Sequence, residues 1–151
     1  MDAVAAADAA ARDGQTALAL RLAKHLAPPP PGAGADDGSA AAANVAFSPV
    51  SVHAALALAA AGARGATLAQ LLAFLGAPSA EALAGFGRRV IAGSVLADMS
   101  GRGGPRVLYG GGAWVDASRG GLTDAFRDVA AESYKSEART VSFAKKVSSN
   151  R

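Results

Sequence analysis

The sequence predicts a mostly helical domain with a few short strands, and three patterns carry this prediction. Leucines recur every four residues ahead of a proline run, later helices have recognisable capping residues, and two stretches have strand composition. The length of 151 residues suits one domain. Apolar residues make up 51% of the chain, but much of this is alanine and aromatic residues are only 5%. We therefore expect a thin core.

The charge and the cysteine content exclude several kinds of binding site and partner. The net charge is +3, but 15 basic residues are interleaved with 12 carboxylates, so no nucleic-acid partner is indicated. The absence of cysteine excludes disulfides and thiolate metal sites. Asp2 stands where a secretory signal peptide has a basic residue, and the apolar run 50–63 is too short for a membrane span. We expect an intracellular chain without a membrane partner.

The first helix predicted from periodicity lies between two stretches without a packing pattern. Leu18, Leu22 and Leu26 recur at four-residue spacing, which is typical of an amphipathic helix. Residues 1–13 are rich in alanine without apolar periodicity, so we expect a frayed, weakly helical or disordered lead-in. Four prolines end the helix, and residues 28–43 are predicted to form an exposed linker of Pro, Gly and Ala.

A strand that leads directly into a buried helix is predicted next. Residues 44–47 have the composition of a short strand. Ser48 suits the N-cap, and Pro49 suits the first helical position, where no amide hydrogen is needed. The helix over 49–61 is apolar nearly all round, so we expect it to be buried on most sides.

Two further helices are separated by glycine and proline. Thr67 and Gln70 fit a capping box at the start of the first of them. Its apolar face consists of Leu68, Leu71, Leu72 and Leu75. Gly76 is predicted to end this helix in the left-handed conformation, and Ser79 is predicted to cap the next one.

Two strands with a connecting helix are predicted in the last third. Residues 106–115 have strand composition around the glycines at 110–112, which suggest close approach by another backbone. A helix begins near Thr123, and residues 138–143 alternate as a final strand. Residues 147–151 have no packing pattern and are predicted to form a tail.

Catalytic and ligand-binding signatures are absent from the sequence. It contains no nucleophile elbow, no zinc-protease pair of histidines and no phosphate loop. His25 and His53 each lie in a predicted helix without a second ligand at metal-binding spacing. We therefore expect no catalytic, metal or cofactor site, and no enzyme.

Five motifs occur in order along the chain: NVAFSPVSV at 44–52, GARGATLAQLL at 62–72, AWVD at 113–116, YKSE at 134–137 and VSF at 141–143. Together they resemble the first part of a serpin, most similar to the plant branch, over residues 14–146. The resemblance implies an α+β class and a truncated serpin-like fold within one partial domain, residues 1–151. That fold would hold helices A to E, strands 1 and 2 of sheet A and one strand of sheet B.

The resemblance also carries a functional expectation. Serpins inhibit serine proteases with a reactive centre loop that inserts between strands 3 and 5 of sheet A after cleavage, and those segments lie beyond Arg151. We therefore expect a non-inhibitory family member that forms no protease complex. Ser48, Pro49 and Ser51 match the family's shutter region, where hydroxyls help to control the opening of sheet A. Helix capping is the simpler role for the same residues.

Other functions stay open at this point. The strand edges could pair with an intact serpin, which would make the chain an interaction module. The isolated chain could also aggregate through them. Anion binding through helix D is not expected, because that segment offers only Arg88 and Arg89. Gly111 stands where family members commonly carry Asn, which indicates relaxed constraint. Secretion stays open as well, because many serpins are secreted.

Overall fold

The computed structural model describes residues 2–27 and 45–143, which form a layer of helices with a small sheet beside it. The helices are α1 (Asp2–Leu26), α2 (Pro49–Gly62), α3 (Gly65–Leu75), α4 (Ala80–Phe86), a π-helix (Gly87–Val95) and α5 (Asp124–Tyr134). The strands are β1 (Gly111–Asp116) and β2 (Ser136–Val141). The predicted linker 28–43 and tail 147–151 lie outside the described residues.

Helix α1 begins at Asp2, so residues 2–13, where a frayed, weakly helical or disordered lead-in is predicted, are part of this helix. Its buried face continues the leucine stripe backwards through small residues, from Leu18 to Gly14 and Ala11. These small side chains let the helix approach the C-terminal end of α3, where Gly14 packs on the Leu75 carbonyl. A search for leucines alone misses this stripe, because alanine and glycine carry it.

Helix α2 starts as its capping residues predict, but the described residues immediately before it form no strand. Ser48 is the N-cap, Pro49 is the first helical residue, and the helix ends at Gly62. Residues 45–47 are not in a strand, and Asn44 lies outside the described residues. A strand needs a backbone partner, and the two strands found within residues 2–27 and 45–143 pair with each other.

Helix α3 begins two residues earlier than the predicted capping box. Gly65 opens it with φ of 58°, and the N-cap Arg64 makes no side-chain cap bond. Thr67 is therefore the third helical residue rather than a cap, because glycine accepts the left-handed entry that a side chain resists. Gly76 ends the helix with φ of 66°, as predicted.

Helix α4 and the π-helix form one continuous rod after the predicted cap. Ser79 accepts a hydrogen bond from the Ala82 amide at 3.1 Å. The wider π turns are closed by the Leu96 amide, which donates to the Ile91 carbonyl at 2.8 Å. Arg89 in this rod forms an ion pair with Asp8, which fixes it to α1.

The sheet is a parallel pair joined by α5. Its register runs from Gly111 opposite Ser136 to Asp116 opposite Val141. The predicted strand ranges are 106–115 and 138–143, and the observed strands differ from both. Each observed strand extends only over the residues that pair with the other strand. The close approach predicted at the glycines is made at Gly111 by the Ser136 side chain rather than by another backbone.

The core lies between the helices and is built largely from small residues, as composition predicts. Its alanines are Ala11, Ala54, Ala57, Ala60 and Ala130. Its largest members are Tyr134, Phe86, Leu18, Leu75, Leu83 and Ile91. Among the described helices, no single one is long and apolar enough to cross a membrane, although Gly65–Leu75 and Ala80–Val95, bent by 45°, together meet that criterion.

Candidate functional site

The predicted shutter residues form a compact hydrogen-bonded cap at the start of α2. Ser48 has extended backbone angles (φ −110°, ψ 103°), which turn its hydroxyl towards the first turn of the helix. The Ser48 Oγ accepts the Ser51 amide at 3.3 Å and the Ser51 hydroxyl at 2.9 Å. Pro49 between them has no amide hydrogen, so it leaves no donor of its own without a partner.

These bonds are local to the cap. In the described part of the chain, the side-chain hydrogen bonds of Ser48 and Ser51 join the two serines to each other and to the backbone of α2. Ser48 is exposed, whereas Pro49 and Ser51 are half-buried. Capping explains this geometry fully, and control of sheet opening by these residues stays a prediction.

Gly111, where the resemblance predicts an asparagine, faces Ser136 across the sheet. A Cβ at Gly111 would run into the Ser136 hydroxyl. Ser136 is buried, and its hydroxyl donates to the Tyr134 carbonyl at 3.0 Å. A side chain at position 111 would therefore require Ser136 to move.

A second group of polar residues lies in the core, at positions that no sequence motif marks as functional. His53, Ser133 and Tyr134 are almost fully buried, and among the described residues no hydrogen-bond partner reaches their side-chain polar atoms. His53 packs edge to face on Phe86, with ring centroids 5.8 Å apart. Burial lowers the pKa of His53 and raises the pKa of Tyr134, because both charged forms lose hydration.

The spacing of residues along α2 could have predicted that His53 is buried. It lies four residues before Ala57 and seven before Ala60, which places it on the buried face of the helix. His53 is therefore a core residue. Within the described ranges, no group of three His, Asp or Glu side chains is placed to hold a metal ion.

A cleft of about 590 Å³ opens where the end of α2 meets the start of α5 and the end of β1. Phe126, Val129 and Val115 form its apolar walls, and Arg64 lies among the lining residues. Sequence reasoning missed this cleft because its lining comes from three separate segments. No local pattern could have indicated it.

Comparisons with known proteins agree with this fold. A family model described as Serpin (serine protease inhibitor) matches residues 13–151. Serpin-ZXA from Oryza sativa subsp. japonica is 50% identical over 130 residues, which are 85% of this chain and 31% of that protein. Serpin-Z7 from Hordeum vulgare is 47% identical over 132 residues, again 85% of this chain and 31% of the relative.

A solved structure, Arabidopsis AtSerpin1 in its native stressed conformation, is similar with a TM-score of 0.70 and 33% identity. The similarity covers 90% of this chain and 33% of that one. The chain thus spans about a third of the length of the relatives that it matches. The predicted resemblance to the first part of a plant serpin is confirmed, and so is the predicted fold class.

Proposed function

The chain belongs to the serpin family, and we propose that its 151 residues have no protease-inhibitory activity of their own. The observation that carries this proposal is the sheet. In the described residues it consists of β1 and β2, which bond directly to each other in register and leave no gap between them. A serpin inhibits by inserting its cleaved loop as a new strand between two strands of sheet A. This pair offers no such place.

The fraction of a complete serpin fold that these residues correspond to supports the same proposal. These 151 residues correspond to a third of AtSerpin1. Loop insertion is driven by the strain of the complete serpin fold, and most of that fold lies outside these residues. The cap at Ser48 and Ser51 then serves only to start α2. The absence of a catalytic signature in the sequence further supports a protein without enzymatic activity.

Titration against trypsin-like and chymotrypsin-like proteases tests the proposal. We expect full protease activity at a tenfold molar excess of the chain, and no complex that survives denaturing electrophoresis. An intact plant serpin with a matching reactive loop serves as the positive control. A stoichiometric covalent complex with the 151-residue chain would refute the proposal.

A second candidate function rests on the strand edges. Within the described residues each strand has one partner, so each leaves an edge unpaired, and Trp114 in β1 is 60% exposed. An edge of this kind accepts a further strand, and an intact serpin is the partner that we propose.

Capture of intact Serpin-ZXA by the immobilised chain tests this second function. Trp114→Lys places a charge beside the edge and should weaken capture. Val52→Lys, a similar change at a partly exposed position of α2, should leave capture unchanged. Equal capture by both variants, or no capture by the parent chain, would contradict pairing through β1.

A further inference from the structure

The cleft beside α5 is a half-open groove with the volume of a small-molecule site. Its volume of about 590 Å³ falls in the range of roughly 300–1,000 Å³ that is typical of ligand pockets. Ala59, Val115, Leu122, Phe126 and Val129 provide apolar walls. The apolar part of a small ligand would therefore fit in the cleft and contact these side chains.

Arg64 gives the cleft its charge. It is the one ionisable residue among the lining residues, and in the described part of the chain it has no ion-pair or side-chain hydrogen-bond partner. The carboxylates next to the lining residues are already engaged. Asp116 accepts the Ser118 amide at 2.8 Å and the Phe143 amide at 3.0 Å. Asp124 pairs with Arg127 at 2.6 Å.

We propose that this cleft binds a small amphipathic carboxylate with an unbranched apolar tail. The tail lies against Phe126, Val129 and Leu122, and the carboxylate pairs with the Arg64 guanidinium at the rim. The Thr123 hydroxyl accepts the Phe126 amide at 3.2 Å, and its hydrogen is available to the same carboxylate. This site does not depend on protease inhibition or on pairing through β1.

Calorimetric titration of the purified chain with decanoate tests the proposal. We expect saturable binding of one decanoate per chain, below the concentration at which decanoate forms micelles. Octanoate, which is two methylenes shorter, should bind roughly fifteenfold more weakly, since each buried methylene contributes about fourfold in affinity. Decyltrimethylammonium, which has the same tail and the opposite charge, should bind at least tenfold more weakly. Equal affinity for the two head groups would overturn the assignment to Arg64.

Matched variants locate the site. Arg64→Gln should weaken decanoate binding roughly fivefold, as expected for an exposed ion pair. Its control, Arg102→Gln, changes an exposed arginine that does not line the cleft and should have no effect. Ala59→Leu fills the cleft and should weaken binding at least tenfold, whereas Ala69→Leu on the exposed side of α3 should not.

Three results would refute the proposal. These are the absence of saturable decanoate binding, unchanged binding by Ala59→Leu, and self-association of the chain that Ala59→Leu abolishes. The last result would show that a second copy occupies the cleft. Thermal unfolding of each variant, followed by circular dichroism, confirms that an affinity loss reflects the cleft rather than the fold.

Discussion

Replacing Gly14 with alanine should destabilise the protein, although alanine is the better helix former. In an open helix position this change stabilises by about 1 kcal/mol. At Gly14 the added Cβ would overlap the Leu75 carbonyl oxygen and lie 3.0 Å from the Leu75 carbonyl carbon and 3.4 Å from the Gly76 Cα. All three are backbone atoms in the turn that ends α3, so no side-chain rotation relieves the overlap.

The magnitude follows from two opposed effects. Overpacking of a tight contact costs about 1–3 kcal/mol. Relief by moving α1 outward would uncover Leu18 and Leu75, which are 1% and 0% exposed, so the cost should fall near the upper end. After subtracting the helix-propensity gain of about 1 kcal/mol, we expect Gly14→Ala to lower the free energy of unfolding by about 1–2 kcal/mol.

Urea unfolding followed by circular dichroism measures this difference. Ala10→Gly, at an exposed position of the same helix, should cost about 1 kcal/mol through propensity alone. The two substitutions therefore run in opposite chemical directions but should both destabilise. A higher urea midpoint for Gly14→Ala would show that α1 does not pack on the end of α3, and the structural reasoning would fail.

Three other predictions concern the core and the caps. Because burial lowers the pKa of His53, stability should be complete above the unfolded-state pKa of about 6.5 and fall as the pH drops below it. Urea midpoints at pH 7.5 and 5.5 should show this fall, which His53→Phe should reduce. Ser48→Ala should cost about 1 kcal/mol in urea unfolding and Ser51→Ala less, and a loss above about 3 kcal/mol at either position would contradict a purely capping role. Lys135 has φ of 47°, so Lys135→Val should be at least about 1 kcal/mol less stable than Lys135→Gly in the same assay.

The sequence predicted best what neighbouring residues determine. The structure has helix caps or helix ends at the predicted positions, which are Ser48 with Pro49, Gly76, Ser79 and Thr123. These could be predicted because each residue acts on backbone groups within a few residues of itself. The order of segments also identified the family.

What depends on distant partners could not be predicted. Ala11 and Gly14 are buried by helices that lie far from them in sequence, and these small residues lack the leucine spacing from which a buried helix face is predicted. The strand boundaries follow from the register between β1 and β2. The lining of the cleft comes from segments more than 50 positions apart in sequence, from Ala59 to Val129, so it exists only in the folded chain.

The sheet is held to the helices mainly through α5, and this arrangement bears on both strand pairing and the cleft. Tyr134 at the end of α5 is 1% exposed and packs on Gly87, where an added Cβ would lie 2.8 Å from the Tyr134 ring. That contact fixes α5 against the π-helix, and α5 in turn connects the two strands. The other end of α5 carries Phe126, which walls the cleft. One helix therefore positions both the open edge of β1 and the cleft, so a change at the Tyr134 anchor should disturb them together.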